Sequence, residues 1–111
     1  MKTQFVKGPG DAQISIEDDE LCRVFFRTDK IAFGVSEIPA GKTSILDPGH
    51  PGADEVFYCM RGHVVCHYPE DKTYYEVETG QAMLISNGVS HKIINIGEEK
   101  AVLVWACAPH T

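Results

Sequence analysis

The stretch GHPGADEVFYCMRG, residues 49–62, sets the reading of this chain. Pro51 and Gly52 favour a reversal, and the run from Glu55 to Met60 alternates and branches as a β-strand does. Gly62 closes that strand. A turn of this kind can bring the His50 imidazole and the Glu55 carboxylate together. A second stretch, GQAMLISNGVSHKIIN, residues 80–95, has the same construction. Gly80 starts a strand, Asn87-Gly88 makes a tight turn, and His91 stands near the start of the next strand, with Ile93 and Asn95 on its own face.

Working outward, short runs rich in branched and aromatic residues recur, each ended by turn chemistry. The expected strands are 13–17, 21–27, 31–38, 43–46, 55–60, 63–68, 73–78, 82–85, 91–96 and 101–108. Glycine or proline interrupts every window that would otherwise carry a helical apolar stripe. The fold class is therefore all-β, and so many short strands suit a closed barrel or a two-sheet jelly roll, which cover the edges such strands expose. The run Val102 to Cys107 is apolar on both faces. That pattern implies a sheet covered on both sides, by a dimer partner or an overlaid terminal strand.

At 111 residues the chain has the length of one domain, residues 1–111, with no internal repeat or linker. Apolar residues make up 43% and charged residues 23%, the balance of a folded protein. The formal charge is −6 and no basic cluster tracks a phosphate backbone, so neither nucleic acid nor an anionic membrane is expected as a partner. No apolar run has the length of a signal or a membrane span, and a cytoplasmic location is expected. Cys22, Cys59, Cys66 and Cys107 show neither a CxxC pair nor zinc-ribbon spacing, and read as reduced, buried small hydrophobes.

If the two quoted stretches pair across the barrel, His50, Glu55 and His91 converge. Two imidazoles and a carboxylate on one side of a cation leave positions open for a substrate or dioxygen. Phe57, Cys59 and Ile93 share the inward parity of these residues and are expected to wall the pocket. Asn95 and Trp105 are placed at the same cavity, Asn95 as a hydrogen-bonding residue of its strand end and Trp105, the one tryptophan, at the far end or in the core.

Together the two stretches resemble the paired motifs of the cupin superfamily, here over residues 41–62 and 80–95. The first motif of that family has a histidine pair, a glutamate shortly after and a glycine beyond it, met here by Glu55 and Gly62. The second is met by Gly80, Gly88, His91 and Asn95, with Ser86 where proline is usual. The resemblance implies a small RmlC-like jelly roll, a double-stranded β-helix. It also implies a divalent metal ion, whether iron, manganese, zinc or nickel, held by His50, Glu55 and His91. The second histidine of the usual pair falls on Pro48, which cannot ligate, leaving Asp47 or water as the fourth ligand. An oxygen donor there shifts preference toward harder cations.

On this reading the protein is a metal-dependent enzyme acting on a polar, carboxylate-bearing or hydroxylated metabolite by isomerase, tautomerase, lyase, cyclase or oxygenase chemistry. The alternatives are a small-ligand sensor with a degenerate metal site, and a structural dimerisation unit. A homodimer is expected in either case, by analogy with small barrels of this kind.

Overall fold

The computed structural model describes residues 5–109. One 3-10 turn, Pro9–Asp11, precedes nine strands: β1 (Gln13–Glu17), β2 (Glu20–Arg27), β3 (Ala32–Ile38), β4 (Asp54–Arg61), β5 (His63–Tyr68), β6 (Thr73–Glu78), β7 (Ala82–Ile85), β8 (Lys92–Asn95) and β9 (Ala101–Ala108). All pairings are antiparallel. Six strands form one sheet in the order β1-β2-β3-β9-β4-β7, and three form a second in the order β6-β5-β8. The architecture is the all-β jelly roll expected, without an α-helix among the described residues.

Strand alternation places the core. On β3, Ala32, Gly34, Ser36 and Ile38 face inward and are buried, while Phe33, Val35 and Glu37 face out. On β4, Glu55, Phe57 and Cys59 turn inward. Ile38, Cys59, Val64, Cys66, Ala101 and Leu103, drawn from both sheets, close one end of the sandwich as a continuous apolar cluster. Toward the other end the inward residues become small or polar: Ala32 and Ser36 on β3, Glu55 on β4, Cys107 on β9. The sheets cannot fill the space between them there, and a cavity of about 330 Å3 opens.

The strand expected over 43–46 does not form. The segment runs beside β8 and makes only isolated bridges, Thr43 to Ile94 and Asp47 to His91. The reason lies at Ser44, whose hydroxyl oxygen accepts the Ile93 N–H at 2.8 Å and interrupts the regular ladder, although its own N–H still reaches Ile93 O at 2.8 Å.

The outer face of the larger sheet carries exposed apolar side chains around the Arg23–Glu37 ion pair. Ile14, Ile16, Val56, Tyr58, Met60 and Leu84 are all exposed there. Cys59, Cys66 and Cys107 are buried, Cys22 is half-buried, and all four are free thiols. Burial, aided by the nearby Glu55 carboxyl, pushes the Cys66 thiol up to about 12.

Candidate metal centre

The two motif stretches meet because their loops are pressed and laced together. Gly49 has a φ of 93°, and a Cβ there would lie 2.7 Å from the Gly88 carbonyl carbon, so only glycine lets the two backbones approach. Asn87 then ties the loops through its side chain: its Oδ1 accepts the Gly52 N–H at 3.0 Å and its Nδ2 donates to Ala53 O at 2.8 Å. Sequence reading gave Asn87 only a turn role, since nothing local reveals a partner thirty-five residues away.

Asp47 and His91 form a bridge in which the Asp47 N–H reaches His91 O at 2.7 Å and the His91 N–H reaches Asp47 O at 2.9 Å. Asp47 Oδ1 accepts the Gly49 N–H at 2.8 Å. Its Oδ2 lies 3.6 Å from His50 Nε2 and 3.9 Å from His91 Nε2. His91 is almost fully buried and its Nδ1 sits 3.0 Å from Val89 O. That carbonyl can only accept, so Nδ1 carries the proton and Nε2 presents its lone pair to the cavity. The Tyr68 ring meets the imidazole edge to face at 6.3 Å and fixes its tilt.

Glu55 enters from β4, between Ile85 on β7 and Cys107 on β9. Its Oε1 is buried and accepts no hydrogen bond from the described residues, for His50 Nε2 at 3.7 Å is beyond hydrogen-bonding distance. Burial raises the Glu55 carboxyl above its ordinary value, Asp47 adds to the rise, and His91 and His50 oppose it.

Asp47, His50 and Glu55 each offer a ligand atom within 4.8 Å of the others, and His91 Nε2 adjoins them through Asp47. A buried carboxylate oxygen with no donor, beside the His50 imidazole and a second carboxylate, is a donor set a divalent cation takes, with His91 outside that group but 3.9 Å from Asp47 Oδ2, so these residues fit the metal that the fold implies. Asp47, treated from sequence as a marginal ligand, stands at the middle of the cluster because its backbone is paired to that of His91.

Of the expected wall, Phe57, Ile93 and Trp105 line the cavity. Cys59 and Asn95 do not. Cys59 has the inward parity expected, but it lies two residues deeper along β4 and is sealed in the core, its sulfur 3.5 Å from Gly62 O. Asn95 is fully buried and its amide is used up locally, donating to Ile38 O and Glu99 O and accepting the Gly97 N–H.

Sequence reading missed the opposite wall altogether. Glu17, Glu20, Cys22 and Arg27 reach the cavity from β1 and β2, with Ser36 beside them from β3. Burial raises the Glu20 carboxyl, a Ser36 hydrogen bond opposes that, and the Glu17 and Asp47 charges reinforce it. No spacing rule connects these residues to either motif. Only the alternation of β2 hinted that Glu20 and Cys22 share a face.

Comparison with known proteins agrees with this geometry. The family model described as the cupin domain matches residues 34–107. The chain belongs to the cupin family. No curated protein matches it in sequence. Among solved structures this cupin resembles an uncharacterised double-stranded β-helix protein from Klebsiella pneumoniae, with a TM-score of 0.79 and 17% identity over 96% of this chain and 91% of that one. A predicted oxalate decarboxylase from Thermotoga maritima gives a TM-score of 0.78 and 17% identity, covering 94% and 98% of the two chains. The polyketide cyclase RemF from Streptomyces resistomycificus gives a TM-score of 0.76 and 13% identity, covering 97% and 81%. At these identities the likeness is one of fold. No helix among the described residues of this cupin is long and apolar enough to cross a membrane.

Proposed function

We propose that this cupin is a cytoplasmic metal-dependent enzyme that binds a divalent cation through His50, Glu55, His91 and Asp47 and acts on a polar small metabolite. The observation that carries the reading is the buried, donorless Glu55 Oε1 facing the His50 and Asp47 side chains. An isolated anionic oxygen of this kind is costly in a protein interior, and a cation is the partner that removes the cost.

When bound, the metal supplies Lewis-acid polarisation of substrate oxygens. The chain's own residues prepare that task. Val89 O orients His91 so that Nε2 faces inward, and Gly49 N–H holds one oxygen of Asp47 so that the other is presented. Phe57, Ile93 and Leu103 exclude water from the far side of the cavity. Glu20, whose carboxyl burial raises above its ordinary value, stands on the facing wall within reach of a bound ligand. Isomerase, tautomerase, lyase, cyclase and oxygenase reactions all fall within such a site. A non-catalytic ligand sensor is the second reading, and Pro48 at a usual histidine position is what favours it.

The exposed apolar side chains on the outer face of the larger sheet support a homodimer in which a second copy covers Ile14, Ile16, Val56, Tyr58, Met60 and Leu84. Sedimentation at micromolar concentration reads this as twice the 12.3 kDa chain mass, and a monomer contradicts it.

The test of the metal reading is elemental analysis of untagged protein. About one divalent ion per chain is expected, falling steeply in His91→Ala. Metal retained in that variant at the native level refutes the ligand assignment.

A further inference from the structure

Trp105, the single tryptophan, occupies a position on β9 opposite Gly34 on β3 and Phe57 on β4. Its indole lies across Gly34: a Cβ on that glycine would come within 2.5 Å of Cζ2 and 2.8 Å of Cε2. Cys22, its thiol pushed up by burial, lines the same cavity. The Gly34 backbone supports one face of the ring, and the indole is part of the cavity wall. Phe57, Leu103 and Ile93 continue that wall toward the metal-binding end.

A ring held this way offers a rigid apolar surface at almost no entropic cost, which is what a flat ligand needs. The charge of the cavity argues in the same direction. Four carboxyls, Glu17, Glu20, Asp47 and Glu55, face it against the one guanidinium of Arg27. In the metal-free cavity an anionic chain meets repulsion from these carboxyls, whereas an uncharged ligand does not.

We propose that Trp105 selects the ligand of this cavity, and that the ligand is a flat, uncharged, hydroxylated ring lying against the indole with its oxygens toward His50, Glu55 and His91. Only the oxygen end of this assignment rests on the metal reading above; the ring end rests on Trp105 and its supports. The ring preference follows from the Gly34 backbone keeping the indole in one plane.

The test uses catechol, an uncharged hydroxylated ring, and oxalate, a flat but anionic oxygen chelator. Both are titrated calorimetrically into metal-free and cobalt-loaded protein, with the cobalt content of each sample measured. Catechol is expected to bind the metal-free form more tightly than oxalate does and to quench Trp105 fluorescence in both forms. Trp105→Leu is expected to weaken catechol binding by about tenfold while leaving oxalate within twofold, and Trp105→Phe to keep most of the catechol affinity. Tighter binding of oxalate to the metal-free form, an equal loss of both ligands in Trp105→Leu, or catechol that leaves the fluorescence unchanged overturns the proposal. If the leucine variant does not fold, quenching and the affinity order in the native chain still decide. A chain that takes no cobalt contradicts the metal reading alone, because the metal-free quenching still reports the ring preference.

Discussion

Asp47 and His91 exchange two backbone hydrogen bonds, of 2.7 and 2.9 Å, and this pairing brings the Asp47 Oδ2 to within 3.9 Å of the His91 Nε2. The carboxylate reaches the site through its backbone, which ties residues from the two motifs into one rigid unit. On the proposed metal reading, the position left by the proline at 48 is filled by its neighbour, which offers an oxygen where the family usually has nitrogen.

Asp47→Asn separates the two roles of that side chain. The amide keeps an oxygen to accept the Gly49 N–H, so folding changes little, while the negative charge offered to a cation is lost. Metal affinity measured by competition with a chelator is expected to fall by about 10-fold or more. An unchanged affinity means that Asp47 serves only its turn.

Asn87→Ala removes both side-chain bonds that lace the loops, leaving Gly52 N–H and Ala53 O without their partner. A loss of about 1–3 kcal/mol in stability is expected from denaturant unfolding, along with weaker metal binding. A variant with native stability would show that the Gly49 contact suffices to join the loops.

Gly49→Ala meets two obstacles together, a φ of 93° and a backbone carbon 2.7 Å from the new methyl group. The φ strain by itself costs about 1–3 kcal/mol. Thermal unfolding is expected to shift down by several degrees, with Gly52→Ala the milder control because nothing lies within 4 Å of its added Cβ. Equal effects at the two positions would show that φ strain, and not the close approach, governs.

Glu20 makes the metal-free protein sensitive to pH. Its carboxyl is raised by burial, so the folded state binds that proton more tightly than the unfolded chain does. The sign follows: this contribution is intact below the ordinary carboxylate value and is lost as pH rises through the raised one. Glu20→Gln keeps the size and polarity of the side chain and cannot ionise. Its melting temperature relative to the native chain is expected to climb between pH 4 and pH 8, and a pH-independent difference would contradict the placement of Glu20.

Much of the fold was legible because strand periodicity and turn chemistry are local. Pro51-Gly52, Gly80 and Asn87-Gly88 mark reversals by composition, and all nine strands begin within one residue of where the alternation put them. The segment at 43–46 was misread because its residues suit a strand and the interruption comes from a side-chain oxygen, Ser44 Oγ, acting on β8. The site was legible only through paired motifs. Parity correctly turned Cys59 inward but says nothing of depth, so a core residue was counted as cavity wall. The wall built by Glu20, Cys22 and Ser36 was invisible because it depends on β1 and β2 folding over the mouth of the sandwich, a tertiary event with no local signature.

The most direct test of the account is a cobalt(II) titration of metal-free protein beside its Glu55→Gln variant, followed by visible absorption. Glutamine keeps the shape and burial of the side chain and removes its charge. The native chain is expected to saturate at about one equivalent, and the variant to bind at least about tenfold more weakly. A glutamine variant that binds cobalt as tightly as the native chain would show that the buried Glu55 oxygen is not waiting for a cation.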